Sequence, residues 1–328
     1  MKKILTLLAA FALTVACIRP MPLFAADEQT VKTNEKVSTD VAEINGKSYT
    51  SLSEAVQEVT DGQTIKILKD GDITGVKVAE GKNFIIDFNN KTVSIINPMV
   101  GSTGTETNGF QLLKNSNITL KNGTIKTTDS SNKILIQNYC NLTLENIVLD
   151  ATQSSNTEYV LSNNYGNVQI KGNTSIIAYP DKVAFDVWYG MSQGYDDGIS
   201  ITFDNSFTGT ISGNVEYGAD KRAYEKYGNA WTEKAVINIR NGHFDIQFKD
   251  GNPNDLVAIK DANINIEGGQ FSVDPTDYVM TGYKVYPVEN TFKVAPAATA
   301  IVLSDASLNL EVNSNNTLTA VVNPNETV

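Results

Sequence analysis

Residues 117–125 read NITLKNGTI, and this stretch decides how the rest of the chain is interpreted. Apolar Ile118 and Leu120 alternate with polar residues, an Asn-Gly turn signal follows, and Ile125 is the next apolar position. The pattern recurs as NLTLENIVL from residue 141, NVQIKGNTSI from 167, INIRNGHF from 237 and NINIEGGQF from 263, with a looser copy, IIDFNNKTV, from 85. Recurrence of one motif along a chain is typical of repeat architectures.

The period of the motif limits what each repeat can contain. Equivalent apolar positions, such as Ile118, Leu142 and Val168, lie 24 to 27 residues apart. A repeat of that length holds two or three short strands with their turns, and the alternation inside the motif is that of a strand. The sequence therefore predicts an all-β solenoid, a coil of parallel strands in which each turn lies about 4.8 Å above the last.

Asparagine occupies two recurring places in the motif. One set precedes the first apolar residue of the strand: Asn117, Asn141, Asn167 and Asn263. Another set occupies the turn after the strand: Asn90, Asn122, Asn146, Asn205 and Asn241. Stacked amide side chains can hydrogen-bond along such a coil, and asparagine tolerates the left-handed backbone of a sharp corner.

On this periodicity and asparagine placement, residues 44–294 resemble the right-handed parallel β-helix, the pectin-lyase-like fold. A short helix is predicted at its N-terminal end. Ser51 and Glu54 form a capping box, and Gly62 supplies the C-terminal stop. We expect this helix to cover the first turn of the coil, because an open solenoid end exposes backbone and core. The apolar face of the helix consists of Leu52, Ala55, Val56 and Val59.

The first 43 residues contain two segments that precede the coil. Residues 1–26 are interpreted as a secretion signal, with Lys2 and Lys3 before the apolar run 4–16. A lipoprotein-like alternative is centred on Cys17. Polar residues 27–43 are predicted to be a flexible lead-in. No other segment is apolar enough to predict a transmembrane span, so we expect a secreted or cell-surface protein.

Charge and cysteine content limit the possible partners. The chain carries a formal net charge of −11, which argues against a nucleic-acid partner. After removal of residues 1–26, Cys140 is the only remaining cysteine and His243 is the only histidine. The sequence therefore predicts no intramolecular disulfide, no metal site and no cofactor.

The last segment differs from the repeats. Residues 295–328 contain strictly alternating apolar residues, among them Leu308, Leu310 and Val312, and then read TLTAVVNP from 317. This ending resembles the opening of a group 2 bacterial immunoglobulin-like domain. A complete sandwich needs several more strands, so the resemblance implies an incomplete domain here.

The repeats are interrupted between residues 177 and 235, where both tryptophans lie. We expect two projecting loops, 179–198 and 213–234, that lie side by side and form an aromatic binding patch. The alternative is that the tryptophans pack these loops against the coil. The candidate binding residues are Trp188, Tyr189, Tyr195, Arg222, Tyr224, Tyr227 and Trp231.

Enzymes of the pectin-lyase-like fold resemble one another in Asn-Thr-Asp, Asp-Asp, Gly-His-Gly and Arg-Ile-Lys motifs, of which only Asp-Asp is present here. No catalytic set is therefore assigned, and the weak candidates are Asp196, Asp197 and His243. An enzyme would need these side chains, with Asp186 and Asp204, to converge in one groove.

The predicted function is that of an adhesin-like or structural bacterial protein, secreted or on the cell surface. Its β-helix would display a surface that binds an extracellular glycan or protein. The alternative is a polysaccharide-degrading enzyme, a lyase or a glycoside hydrolase.

Overall fold

The computed structural model describes residues 39–190, 197–251, 262–298, 300–303, 317 and 319–323. Most strands belong to one large, mostly parallel sheet, and the last two form a separate sheet. The strands are β1 Ala42–Ile44, β2 Lys47–Tyr49, β3 Thr64–Ile67, β4 Gly71–Thr74, β5 Val76–Val78, β6 Asn83–Ile96, β7 Val100–Ser102, β8 Thr105–Leu112, β9 Asn117–Thr127, β10 Ile134–Asn138, β11 Asn141–Asp150, β12 Tyr159–Asn163, β13 Gly166–Lys171, β14 Ser175–Ile177, β15 Val183–Tyr189, β16 Ile199–Phe203, β17 Thr210–Ala219, β18 Ala235–Ile239, β19 His243–Asp250, β20 Ile264–Ile266, β21 Gly269–Phe271, β22 Tyr283–Val288, β23 Thr291–Pro296, β24 Ala300–Leu303 and β25 Ala320–Asn323.

Helices are few. The α-helices are α1 Leu52–Glu58 and α2 Lys221–Tyr227, and 3-10 helices span Gly228–Lys234 and Thr276–Tyr278. Within the described ranges, none of these helices is long and apolar enough to cross a membrane.

Parallel pairing arranges the strands in three ladders. Ladder A contains β3, the first part of β6, β9 and β11, then β13, β16, β18 and β20. Ladder B contains β4, the second part of β6, β9 and β11, then β14, the first part of β17 and β19, and β21. Ladder C contains β5, β8, β10, β12, β15 and the second part of β17 and β19.

The chain visits ladders A, B and C in that order and then begins the next turn. This pairing confirms an all-β protein built on parallel strands, and it is compatible with a β-helix or another parallel solenoid. The alternation in the motif is confirmed as well, because Ile118, Leu120 and Ile125 are buried. In ladder A, Ile118 lies between Phe84 and Leu142 of the neighbouring strands. Equivalent apolar side chains therefore stack on one another from turn to turn.

Antiparallel hairpins close both ends of the parallel sheet. At the start, β1 pairs with β2 and also lies antiparallel to β3. At the end, β22 pairs with β23, which lies antiparallel to β21. Each hairpin covers backbone groups that the first or last parallel strand would otherwise leave unpaired. The strand β1 begins at Ala42, so the last residues of the predicted flexible lead-in are ordered by this pairing.

The predicted N-terminal helix is present as α1. The Glu54 backbone N–H donates to Ser51 Oγ at 3.2 Å, which confirms the N-cap. The buried side chains of Leu52, Ala55 and Val56 join the core next to the first hairpin. The helix ends at Glu58 with Val59 as its C-cap, and Gly62 lies in the following turn with a φ of +77°.

Asparagine plays the two predicted roles in part of the chain. Asn141 Nδ2 donates to Asn117 Oδ1 at 3.0 Å, and the Asn167 backbone N–H donates to Asn141 Oδ1 at 3.0 Å. At the corner between ladders A and B, Asn122 and Asn146 have φ values of 59° and 51°. The amide ladder does not reach Asn263, whose side chain instead accepts a hydrogen bond from Asn265.

The described residues of the last segment form a two-stranded antiparallel sheet. Ala300 of β24 lies opposite Asn323 of β25, and Leu303 lies opposite Ala320. Leu308, Leu310 and Val312, on which the immunoglobulin-like resemblance also depends, lie outside the described residues.

Charged side chains of alternating sign form a row at the end of ladder A. Lys121 lies in register with Asp87 on one side and with Glu145 on the other. Ion pairs of 3.8 Å join Lys121 Nζ to Asp87 Oδ2 and Arg240 Nε to Glu267 Oε2. Opposite charges on neighbouring strands are favourable, so the row favours this register. In order along the ladder its members are Lys66, Asp87, Lys121, Glu145, Lys171, Asp204, Arg240 and Glu267.

We expect Lys121→Glu to lower the free energy of unfolding by about 0.4–2 kcal/mol. The substitution replaces two favourable cross-strand pairs with like-charge pairs to Asp87 and Glu145. Urea denaturation measures the change. The control Lys121→Gln removes the attraction without adding repulsion and should cost less. A Lys121→Glu variant as stable as Lys121→Gln at low salt would contradict the role of the row.

Candidate functional site

Polar side chains form a row on the side of ladder C that faces away from the apolar core. The residue before each of them, for example Phe110 before Gln111 and Phe185 before Asp186, is buried in the core, except that Phe248 before Lys249 is partly buried. Because successive side chains in a strand point to opposite faces, the polar residues lie on the other side. The polar row is Lys77, Gln111, Gln137, Ser162, Asp186, Glu216 and Lys249, each in register with the next.

Amide groups at one end of the polar row bond to one another. Gln137 Oε1 accepts from Asn108 Nδ2 at 2.6 Å and from Gln111 Nε2 at 3.1 Å. Gln137 Nε2 donates to the Tyr139 hydroxyl at 2.8 Å. Within the described part of the chain, the buried Oε1 of Gln111 has no hydrogen-bond partner. A buried acceptor without a donor is uncommon in proteins, so this position suits a donor group from a ligand or a water molecule.

Two carboxyl groups lie side by side at the centre of the polar row. Asp186 and Glu216 are opposite each other on β15 and β17. Asp186 accepts hydrogen bonds from the Ser162 hydroxyl, at 3.1 Å, and from the Asn163 backbone N–H. The Tyr159 hydroxyl donates to Glu216 Oε2 at 3.0 Å. Three neighbouring turns of ladder C, through β12, β15 and β17, therefore contribute to one polar site.

Burial raises the pKa of both carboxyl groups. Loss of solvent raises the pKa of Asp186 from 3.8 to about 8, although the hydrogen bonds from Asn163 and Ser162 oppose the shift. Burial also raises the pKa of Glu216, and its hydrogen bond from Tyr159 opposes that rise. Asp186 is therefore mostly protonated at neutral pH and can act as a hydrogen-bond donor.

Trp188 borders the polar row. It lies two residues after Asp186 on β15, so its side chain leaves the strand on the same side. It is half-buried and lies in register with Gly218, which has no side chain to cover the indole. A half-exposed indole beside carboxyl, hydroxyl and amide groups can provide both stacking and hydrogen bonding to one ligand.

Other predicted members of the aromatic patch are core residues. Trp231 is 1% exposed and stacks on Tyr217 at 5.2 Å between ring centroids, with Tyr224 edge-on at 5.5 Å. Tyr189 is also 1% exposed and lies 6.4 Å from Tyr227. Trp231 and Tyr189 therefore offer no ring face to a ligand. In this region, rings that the sequence analysis assigned to binding pack in the core instead.

The two predicted loops are largely regular structure. Residues 183–189 form β15, 210–219 form β17, and α2 with the following 3-10 helix occupies 221–234. The connection 220–234 joins ladder C to ladder A, whereas most of the connection before it, 191–196, lies outside the described residues. The Asp220 backbone N–H donates to the Tyr189 carbonyl at 3.1 Å, which extends the pairing of β15 with β17 by one residue.

Two polar residues among the predicted site residues, Arg222 and Asp197, form hydrogen bonds with nearby side chains. Arg222 is exposed on α2, and its Nη2 donates to Asp220 Oδ2 at 2.7 Å. The Tyr165 hydroxyl donates to Asp197 Oδ2 at 2.8 Å. Tyr195 and Asp196, two further predicted site residues, lie outside the described residues.

The weak catalytic candidates do not converge. Asp197 lies at the corner between ladders C and A, Asp204 at the corner between A and B, and His243 at the start of β19 in ladder B. Asp186 lies on ladder C, within β15 and at none of these corners. Within the described ranges, no three His, Cys, Asp or Glu side chains lie close enough together to hold a metal ion.

Cys140 is not a reactive thiol in this fold. It is buried at the corner between ladders C and A, and burial raises its thiol pKa to about 12. A thiol that stays protonated is a poor nucleophile.

Glu216, Ser162 and Tyr159 were missed by sequence analysis because the recurring motif covers ladders A and B. In ladder C asparagine recurs at the same position only in β10 and β12, as Asn138 and Asn163, and the recurring motif does not include these strands. The available signal was spacing, since Gln137, Ser162 and Asp186 recur at the repeat period.

Comparisons of the chain with protein-family models, with curated proteins and with solved structures found no match.

We expect Asp186→Asn to flatten the pH dependence of stability. Between 3.8 and about 8 the folded chain binds a proton at Asp186 that the unfolded chain has released. The free energy of unfolding therefore falls as pH rises through this window, by up to about 1.4 kcal/mol per pH unit. Asparagine keeps an oxygen acceptor and does not titrate. Urea denaturation from about pH 4 to about pH 8 tests this, with the exposed Asp72→Asn as control. Parallel profiles for Asp186→Asn and wild type would refute it.

Truncating the two tryptophans should have unequal effects on stability. Trp231→Ala removes a fully buried ring from between Tyr217 and Tyr224 and should cost about 3–5 kcal/mol. Trp188→Ala removes a half-buried ring and should cost clearly less. Thermal unfolding of both variants measures the difference. Equal losses would mean that Trp188 is a core residue and not the border of a site.

Proposed function

We propose that this chain is an exported bacterial protein, secreted or displayed on the cell surface, that binds an extracellular glycan along ladder C. The observation that carries the proposal is the polar row, in which hydrogen-bonding groups repeat at about 4.8 Å intervals along the sheet. A carbohydrate chain presents hydroxyl groups at regular intervals, and the row offers the acceptors and donors to meet them.

The arrangement of the polar row also favours a glycan over a flat protein partner. The members that reach solvent, half-buried Gln137 and Glu216 and exposed Lys77 and Lys249, lie in one narrow strip along the ladder and not on a broad face. Ser162, Asp186 and Gln111 lie in the same strip and are buried. Trp188 supplies one ring at the border of this strip. Binding sites for small or linear ligands combine a few fixed polar groups with an aromatic wall in this way.

We infer a right-handed β-helix of the pectin-lyase-like kind, because parallel strands joined by crossovers are right-handed in almost all proteins. We infer export from the signal-like residues 1–26. Residues 295–328 would open an immunoglobulin-like module that acts as a spacer or anchor, a role suggested by the TLTAVVNP ending.

A second candidate is a polysaccharide-degrading enzyme, and one observation favours it. Asp186 and Glu216 are paired across neighbouring strands, and burial raises the pKa of Asp186 to about 8. Glycoside hydrolysis uses two carboxyl groups, one protonated and one ionised. Reducing-sugar release separates the candidates, because a binding protein leaves its glycan intact whereas a hydrolase generates new reducing ends.

A glycan array followed by calorimetry on the best oligosaccharide tests the binding proposal. Trp188→Ala should weaken binding roughly ten-fold, equivalent to about 1.4 kcal/mol, because the indole borders the polar row. Tyr179→Ala is the matched control, since Tyr179 is an exposed aromatic residue in the connection between ladders B and C. Retention of full affinity by Trp188→Ala, or the absence of any bound glycan, would reject the site.

A further inference from the structure

A concavity of about 800 Å³ lies where the corner between ladders A and B meets the C-terminal hairpin. Its lining includes the basic side chains of Arg240, His243 and Lys293, together with one acidic side chain, Glu267. Gly268 also lines it. A side chain at Gly268 would collide with the Arg240 carbonyl, since a Cβ there would lie 2.1 Å from that oxygen. Glycine at this position therefore allows the backbone of this turn to pack closely against the backbone at Arg240.

Strand register brings two of the basic residues to one row. His243 of β19 lies opposite Gln270 of β21, and Gln270 lies opposite Lys293 of β23. Neighbouring strands are about 4.8 Å apart, so His243 and Lys293 flank a single intervening residue. Because β23 belongs to the C-terminal hairpin, this row of His243, Gln270 and Lys293 forms only where the hairpin pairs with β21, the last strand of ladder B.

Arg240 lines the same concavity three residues before His243, at the corner between ladders A and B. Its Nε lies 3.8 Å from Glu267 Oε2, and its side chain is 41% exposed. This contact involves one of the guanidinium nitrogens, and a guanidinium carries five N–H donors. Both His243 and Lys293 are exposed, and within the described residues neither side chain makes a hydrogen bond or an ion pair.

The local charge differs from that of the rest of the protein. The chain has a formal net charge of −11. Another concavity beside ladder B is lined by Asp181 and Asp245, and one near Phe248 is lined by Asp274 and Asp277. A cluster of three basic groups in a recess is therefore a specific feature on an acidic surface, which repels anions elsewhere.

We propose that this concavity binds an oxyanion, the carboxylate or sulfate group of an extracellular ligand. Arg240 supplies paired N–H donors that match an oxyanion. Lys293 supplies a compact charge on the far side of Gln270 from His243. The site lies on ladder B, away from the polar row, and does not depend on glycan binding there. Because the basic groups are partly exposed, binding should weaken with ionic strength.

The single histidine of the chain provides a direct test. In ¹H NMR of the whole protein, the Cε1–H resonance of His243 is one assignable signal, because no other histidine exists. Sodium sulfate and sodium acetate are titrated separately at fixed pH and constant ionic strength, with sodium chloride as the balancing salt. We expect this resonance to shift and saturate with at least one of the two anions.

Variants identify the residues involved. Lys293→Ala and Arg240→Gln should each weaken the apparent affinity at least ten-fold, whereas Lys126→Ala, at an exposed lysine on β9 outside both proposed sites, should leave it unchanged. Because Arg240 also belongs to the alternating charge row, Lys293→Ala is the decisive variant, and its unchanged thermal midpoint shows that the fold is intact.

Each outcome decides the proposal. Saturation by sulfate alone assigns the site to sulfate esters, saturation by acetate alone assigns it to carboxylates, and saturation by both supports a general oxyanion site. A shift that grows linearly without saturation, or saturation that persists unchanged in Lys293→Ala, would overturn the proposal.

Discussion

In-register stacking of equivalent side chains is the interaction on which the rest of this structure depends. Parallel pairing places each residue about 4.8 Å from its counterpart in the next turn, so every position in the repeat becomes a row along the sheet. Ile118 and its neighbours form an apolar row, and Asn117 and Asn141 bond amide to amide. The charge row at the end of ladder A follows the same rule with alternating sign. A residue type that recurs at the same position of successive repeats therefore stabilises the contacts between neighbouring turns.

A parallel stack cannot complete itself, because its first and last strands expose unpaired backbone. This chain completes both ends with antiparallel hairpins, β1–β2 and β22–β23. The hairpins have consequences beyond stability. At the C-terminal end, β23 brings Lys293 into register with Gln270, and so contributes to a basic recess that the repeats alone do not contain. At that end, the strand pairing that closes the sheet also forms a ligand-sized recess.

Burial of part of the polar row on ladder C is unfavourable for the stability of the fold. Burying Asp186 raises its pKa to about 8, which means that the fold holds a proton that water would remove at neutral pH. Perturbed carboxyl groups of this kind concentrate at functional sites, although structural networks also produce them. Most of the neighbouring aromatic residues, by contrast, stabilise the core. Trp231, Tyr217 and Tyr189 are committed to the core, and only Trp188 remains beside the polar groups with part of its ring exposed.

The sequence by itself determined the repeat, the strand alternation, the capping box of α1 and the left-handed asparagine corners, because each depends on neighbours within one repeat. Tertiary structure decided which aromatic rings are buried, since α2 and the 3-10 helix fold back onto Tyr217 through contacts that no local pattern encodes. It also decided the pairing of Asp186 with Glu216 and of His243 with Gln270 and Lys293. These residues are distant in the chain and carry no motif, so only the register of non-local strands brings them together.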